Sequence, residues 1–207
     1  MSDKNIEHSF RELEKHLEVA GEAHISTIRN YHFAVLVYPP NKELQMRDRL
    51  QRSTRTLQKK GWNIKTISLL EVVMRRLKNR GEGAIERTIN KEKRFSRRDP
   101  ERGLNELKRA IQNELEGDSG IAKDIAELID QYISEDPNRA DRTLVFIGRV
   151  GALYPFFRTS ALLRHLHTEM KTQTPTILLY PGRKHGDAGL SFMERLNPDR
   201  DYRPRIY

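Results

Sequence analysis

The sequence contains no cysteine, and aromatic residues make up only 7% of its 207 positions. Without thiols, a disulfide scaffold, a thiolate zinc site and a cysteine nucleophile are excluded. No apolar stretch approaches the ~20 residues that span a bilayer, and the first residues lack the basic start and apolar core of a signal peptide. These absences predict a cytoplasmic protein that does not bind a membrane.

Hydrophobic residues are few, at 36%, while charged residues reach 32% and the net charge is +9. The apolar residues cluster into short runs, so the chain is still long and apolar enough to bury a core. A chain of this length suits one domain, and we predict a single domain over residues 1–207.

Short apolar runs predict the strands of a sheet. The run from Phe33 to Tyr38 ends at two prolines, which is typical of a strand buried on both faces. Comparable runs at residues 63–69, 144–147 and 176–180 predict three more strands, and residues 202–207 predict an edge strand. Helical spacing between the runs predicts an α/β fold with a mostly parallel four- to five-stranded sheet, flanked by helices in three layers.

Two further segments are predicted to be helical. Phe10, Leu13 and Leu17 form one apolar stripe, so residues 5–20 are predicted to form an N-terminal helix. Residues 81–138 have stripes at helical spacing and no strand-like run, which predicts a helical insertion. The polar stretch at 91–98 within it is predicted to be mobile.

Catalytic groups are expected after the ends of the predicted strands, because ligands of open α/β sheets lie off the carboxyl ends of the strands. Arg149, Arg183 and Lys184 follow these strands, but the nearest carboxylate is Asp187. No glycine-rich phosphate loop follows the first strand, and no Gly-x-Ser-x-Gly or paired-histidine motif occurs. The fold is therefore predicted to be P-loop-NTPase-like or Rossmann-like without the phosphate-binding loop. We predict no metal, no cofactor and no enzymatic activity.

Positive charge is concentrated in residues 42–109, which hold 21 Lys and Arg against 9 Asp and Glu, a net charge of +12. Such a field suits DNA or RNA through phosphate neutralisation, but it also suits an acidic protein or a solvated face. The candidate nucleic-acid-binding residues are Arg52, Arg55, Lys59, Lys91, Lys93, Arg94, Arg97 and Arg98.

The last third of the chain contains a more specific pattern. It begins with Ile147-Gly-Arg-Val-Gly-Ala-Leu-Tyr-Pro-Phe-Phe-Arg158, followed by a double leucine at 162–163. An apolar strand ending in Pro-Gly at 178–182, a Leu-x-Phe segment at 190–192 and an Asp-Tyr-Arg tail at 201–203 follow. Together with the early strand ending at Pro39, this pattern resembles the BrxB family of the BREX (bacteriophage exclusion) systems.

The resemblance implies a small cytoplasmic component of a phage-defence system that also contains a DNA methyltransferase, an AAA-type ATPase and PglZ, an alkaline-phosphatase-like protein. It implies a non-catalytic adaptor that binds other BREX components, with a PglZ-like protein as the expected partner. The alternatives that stay open are a DNA- or RNA-binding subunit and a cryptic nucleotide-binding protein. The candidate partner-binding residues are Arg149, Tyr154, Arg158, Arg183 and Lys184.

Pro155 biases Tyr154 away from helical geometry, so this pair is predicted to form the bend before a helix that starts near residue 159. Arg158 would then lie at the helix N-terminus, where the macrodipole disfavours a cation. We therefore predict that Arg158 contacts an acidic group, in this chain or on a partner.

Overall fold

The protein is described from a computed structural model, over residues 6–20, 25, 32–81, 83–116, 120–157, 159–186, 189–199 and 204–207. The predicted α/β class is confirmed, because a mostly parallel sheet lies between helices on both of its faces. The sheet has six strands, one more than the largest number predicted. A single domain over residues 1–207 stays a prediction.

Helices and strands alternate from α1 to α3, α4 to α6 are consecutive helices, and strands predominate after them. The helices are α1 (Ile6–Ala20), α2 (Glu43–Lys59), α3 (Leu69–Lys78), α4 (Ala84–Ser96), α5 (Pro100–Leu115), α6 (Ile121–Glu135) and α7 (Thr159–Glu169). The strands are β1 (Phe33–Tyr38), β2 (Asn63–Ser68), β3 (Thr143–Gly148), β4 (Thr176–His185), β5 (Gly189–Phe192) and β6 (Arg205–Ile206).

The strand order across the sheet is β2-β3-β4-β1-β6, and all of these neighbours are parallel. β1 and β4 pair over six residues, from Phe33 opposite Thr176 to Tyr38 opposite Pro181. The additional strand is β5, which pairs antiparallel with the end of β4. Because β1 and β2 are not neighbours, α2 must cross the sheet to connect them.

Alternate residues of the strands enter two separate cores. Val35, Val145 and Leu178 belong to the core beneath α3, α5, α6 and α7. Leu36 and Phe146 belong to the core beneath α1 and α2. This burial on both faces explains why the strands are continuous apolar runs rather than alternating ones.

The predicted helical insertion is confirmed as α4, α5 and α6. Most of the polar stretch at 91–98, which was predicted to be mobile, is helical, because residues 84–96 form α4, which packs against α5. No apolar stripe in the sequence indicates α4. Along this helix, all of which is described, only Ala84 is buried.

The end of the chain packs against α1. The predicted edge strand is present as β6, which pairs with β1, whereas residues 201–203 lie outside the described residues. Tyr207 is buried, its backbone N–H donates to the Val35 carbonyl at 2.9 Å, and its hydroxyl lies 3.1 Å from His16 Nδ1. Burial, with help from Arg205 and Lys15, lowers the pKa of His16, although Glu12 opposes the shift.

Gly182, the glycine of the Pro-Gly step, lies where β4 passes into its hairpin with β5, and close packing explains why this residue is glycine. A Cβ atom at this position would lie 2.2 Å from the Ser191 carbonyl oxygen and 2.5 Å from Tyr180 Cε1. No side chain fits there without displacing the backbone of β5, so the hairpin requires glycine.

We expect Gly182→Ala to lower the free energy of unfolding by about 1–3 kcal/mol, because the methyl group overpacks the hairpin. Gly148→Ala is the matched control, since its Cβ would meet only Leu179 Cδ1 at an ordinary 3.6 Å. Denaturant unfolding of the two variants measures the difference. Equal stabilities would contradict the steric role of Gly182.

We expect the contact of His16 with Tyr207 to weaken in acid. Because the folded state lowers the His16 pKa, its neutral form is favoured, so this contribution is complete above about pH 6.5 and is lost as the pH falls below it. His16→Gln removes the titrating ring nitrogen. Its melting temperature should therefore decline less than that of the parent between about pH 7.5 and 5. Parallel declines would show that His16 does not contribute.

Candidate functional site at the carboxyl edge of the sheet

A cleft of about 920 Å³ opens at the carboxyl edge of the sheet. It lies where the chain leaves β1 toward one face, into α2, while β2 and β3 lead toward the opposite face, into α3 and α7. Connections that diverge in this way leave a crevice between them, which is where open α/β sheets bind their ligands.

One wall of the cleft is a face of α2. From Leu44 to Gln58 this face runs through Arg47, Gln51 and Arg55, a length of about 21 Å at 1.5 Å per residue. The opposite face of the helix is anchored in the core and onto α1. Leu44 is 72% exposed, which is unusual for a large apolar side chain in a cleft.

The other wall comes from β2 and the residues that follow it. Thr66 and Ser68 lie at the open edge of the sheet, since β2 pairs only with β3 among the described strands. The Ser68 hydroxyl accepts a hydrogen bond from the Glu71 backbone N–H at 3.4 Å and caps α3. Glu71 therefore stands at the mouth of the cleft.

Arg149 closes the cleft at the end of β3. It has a left-handed backbone, with φ 58°, a conformation that costs non-glycine residues about 1–2 kcal/mol. Its side chain is half-buried and makes no ion pair with any described residue. A partly desolvated cation that lacks a counter-ion is a potential anion-binding group.

Beneath Arg149, the buried Tyr38 hydroxyl donates a hydrogen bond to the Glu43 carboxylate at the start of α2. Burial raises the pKa of Tyr38, and the hydrogen bond to Glu43 adds to the shift, while Arg149 opposes it. Tyr38 thus stays a neutral donor that fixes the Glu43 carboxylate at the cleft.

The charges of the cleft are balanced. Three arginines and three carboxylates line it, and no ion pair within the described part of the chain joins any of them. They are Arg47, Arg55, Arg149, Glu43, Asp48 and Glu71.

Three other candidate partner-binding residues, Tyr154, Arg183 and Lys184, do not line the cleft. Arg183 and Lys184 are exposed on the β4–β5 hairpin, where Arg183 pairs with Glu194 at 3.1 Å. Tyr154 forms the predicted bend with an extended backbone, and its ring contacts Phe192 edge-on at 6.1 Å. Arg158 lies outside the described residues, so its predicted acidic contact stays a prediction.

The candidate nucleic-acid-binding residues separate into two groups. On α2, Arg52 pairs with Glu7 of α1 at 3.0 Å, Arg55 lines the cleft and Lys59 is exposed. On α4, Lys91 pairs with Glu106 at 2.8 Å. The remaining four are exposed or follow the end of α4, and they make no ion pair with described residues: Lys93, Arg94, Arg97 and Arg98.

The described residues form neither a group that could hold a metal ion nor a helix that could span a membrane. Within the ranges given above, no group of three or more His, Asp or Glu side chains is placed to hold a metal ion. None of the described helices is both long enough and apolar enough to cross a membrane.

A family model described as BREX protein BrxB matches residues 65–206, from within β2 to the end of β6. The chain belongs to the BrxB family. This confirms the resemblance drawn from the Gly-Arg-Val-Gly-Ala-Leu-Tyr-Pro pattern and makes the protein a component of a BREX phage-defence system. Comparisons with curated proteins and with solved structures gave no match.

The family match covers only part of the cleft of this BrxB protein. Ser68, Glu71 and Arg149 lie within the matched residues, whereas the α2 wall precedes them. Sequence reasoning found Arg149 from its place after a strand but missed Arg47 and Leu44. Leu44 and Arg47 are three residues apart, so they share a face of α2 that differs from the face of the buried Met46. This spacing was the signal available in the sequence.

We expect Arg149→Gly to be more stable than Arg149→Ala by about 1 kcal/mol, because only glycine adopts the left-handed backbone without a steric cost. The same pair of substitutions at the exposed Arg47, inside α2, is the matched control. There the order should reverse by about 1 kcal/mol, since glycine is a poor helix former. Chemical denaturation gives both differences, and the same order at both positions would contradict the assigned conformation of Arg149.

Proposed function

We propose that this BrxB protein is a cytoplasmic, non-catalytic adaptor that binds another protein of its BREX system, a PglZ-like protein, through the cleft at the carboxyl edge of the sheet. Family membership supports the system, and the state of Arg149 supports the site. This residue combines an unfavourable backbone conformation with a half-buried cation that lacks a described counter-ion. A carboxylate of the partner would supply that counter-ion.

The composition of the cleft favours a protein segment as the ligand. Leu44 offers an exposed apolar anchor beside Arg47, and central apolar or arginine contacts provide most of the binding energy in protein interfaces. The groove along α2, about 21 Å long, is also long enough for several residues of an extended or helical segment. Its balanced charges complement a segment that carries both signs.

A nucleotide suits the same cleft poorly. Glu43, Asp48 and Glu71 would repel its phosphates, and their charge balances that of the arginines. The loop after β1 also begins with Pro39 and Pro40, which have no backbone N–H to donate to a phosphate. These features support the adaptor over the nucleotide-binding alternative.

The test is binding of the purified PglZ-like protein of the same BREX system, measured by calorimetry. We expect Arg149→Glu to weaken binding at least tenfold, because reversing one charge of a buried pair costs about 2–5 kcal/mol. Lys171→Glu is the matched control, since Lys171 is exposed at the opposite, amino edge of the sheet and precedes β4.

The parent and the control should bind equally well, and all three proteins should have similar melting temperatures. If the parent binds the PglZ-like protein and Arg149→Glu binds just as tightly, the cleft is not the docking site. If the parent binds none of the proteins of its system, the adaptor function itself is wrong.

A further inference from the structure

The hairpin formed by α4 and α5 projects from the body of the protein. Of α5, Ile111 and Leu115 are buried in the core, whereas Arg102 lies nine residues earlier, about 14 Å along the helix. α4 lies against α5 and contributes no residue to either of the two cores. The end of the hairpin near residues 93–102, here called the hairpin tip, is therefore surrounded mainly by solvent.

The hairpin tip has a defined shape. A Cβ atom on Gly103 would lie 1.8 Å from Ser96 Oγ, so the Ser96 side chain packs directly on the backbone of α5 at this point. The turn between them ends at Asp99, whose carboxylate accepts a hydrogen bond from the Glu101 backbone N–H at 2.9 Å and caps α5. The charged side chains of this tip therefore extend from a closely packed and capped pair of helices.

The charge of the hairpin tip is positive, since residues 93–102 hold five Lys and Arg against two acidic residues, a net charge of +3. On α2 and α3, the more buried cations have acidic partners, as in the pairs of Arg49 with Glu7 at 2.8 Å and of Arg76 with Asp124 at 2.8 Å. Five cations at the tip make no ion pair with any residue that the structure describes. They are Lys93, Arg94, Arg97, Arg98 and Arg102.

The single aromatic ring of the tip is covered. The guanidinium carbons of Arg94 and Arg102 lie 5.1 Å and 4.8 Å from the centre of the Phe95 ring. A ring occupied by two guanidinium groups does not offer a face to a nucleobase, and single-stranded nucleic acids are held largely by such stacking. The tip therefore offers charge without a stacking platform.

We infer that the hairpin tip binds the phosphate backbone of a nucleic-acid duplex without reading its bases. An acidic protein is the less suitable ligand, because the tip, unlike the cleft with its exposed Leu44, has no exposed large apolar side chain beside its arginines. A duplex presents regularly spaced phosphates that five unpaired cations neutralise by releasing counter-ions. This role is separate from the cleft, which lies at the carboxyl edge of the sheet.

The experiment measures fluorescence anisotropy of a short mixed-sequence duplex DNA, a duplex RNA and a single strand between about 50 and 200 mM salt. The tip variant is Lys93→Glu with Arg97→Glu and Arg98→Glu, which leaves the groups around Phe95 in place. The charge-matched control is Lys78→Glu with Lys123→Glu and Lys171→Glu, at exposed positions elsewhere.

The parent and the control should bind the duplex at low salt, with a slope of log K against log salt near −0.9 for each phosphate contacted. The tip variant should bind at least tenfold more weakly, with a slope reduced by about 3. Whether DNA or RNA binds more tightly identifies which duplex the tip prefers. If the tip variant loses helical content, Arg97→Gln with Arg98→Gln, which lie beyond the end of α4, should still weaken binding.

Absence of duplex binding by the parent at low salt overturns the inference. Equal losses in the tip and control variants overturn it as well, because net charge alone would then explain binding. Tighter binding of the single strand than of either duplex would contradict the conclusion drawn from the covered Phe95 ring.

Discussion

The pairing of β1 with β4 over six residues determines most of this structure. Both strands lie inside a parallel sheet, so each must bury apolar side chains on two faces. Helices are then required on both sides, and α2 must cross the sheet from β1 to reach β2 at the far edge. The carboxyl ends of β1, β2 and β3 consequently meet at one edge, and α2 forms a wall beside them.

This arrangement explains why the proposed docking residues come together although they are distant in sequence. Arg149 follows β3, Glu43 begins α2 and Ser68 ends β2, and all three line one cleft. The backbone of Arg149 is costly in free energy, and its charge is not neutralised by the described residues around it. A partner carboxylate that binds there would offset the partial desolvation of the Arg149 guanidinium.

The fold separates the charged residues in a way that their order along the sequence does not show. Acidic residues of α1 lie against α2, with Glu7 and Glu14 both bonded to the buried Arg49. The basic segment of residues 42–109 is therefore neutralised in part along α2, at Arg49 and Arg52, and exposed at the hairpin tip. The protein thus presents two different surfaces, a charge-balanced cleft suited to a protein segment and a basic tip suited to a polyanion.

Much of the fold could be predicted from sequence because parallel strands buried on both faces are short continuous apolar runs. The runs ending at Tyr38 and at Tyr180 carry that signal, and the stripes of α5 and α6 carry the helical one. α4 lies within the predicted helical insertion but had no apolar stripe of its own, since only Ala84 is buried along it. β5 was also missed, since its four residues have too little periodicity.

The candidate site was predictable only in part. Arg149 could be found, because a residue that follows a buried strand lies at the carboxyl edge of the sheet. The cleft could not, because it depends on the order of the strands and on the path of α2, which are set by contacts distant in sequence. The same reason hid the pairing of Arg52 with Glu7.

Photo-crosslinking from within the cleft tests the central claim most directly. A photoreactive side chain placed at Leu44 or Gln51, on the cleft face of α2, should form a covalent product with the PglZ-like protein of the same BREX system. The same group at Lys123, an exposed position on α6, should form none. Crosslinking from Lys123 but from neither cleft position would contradict the account.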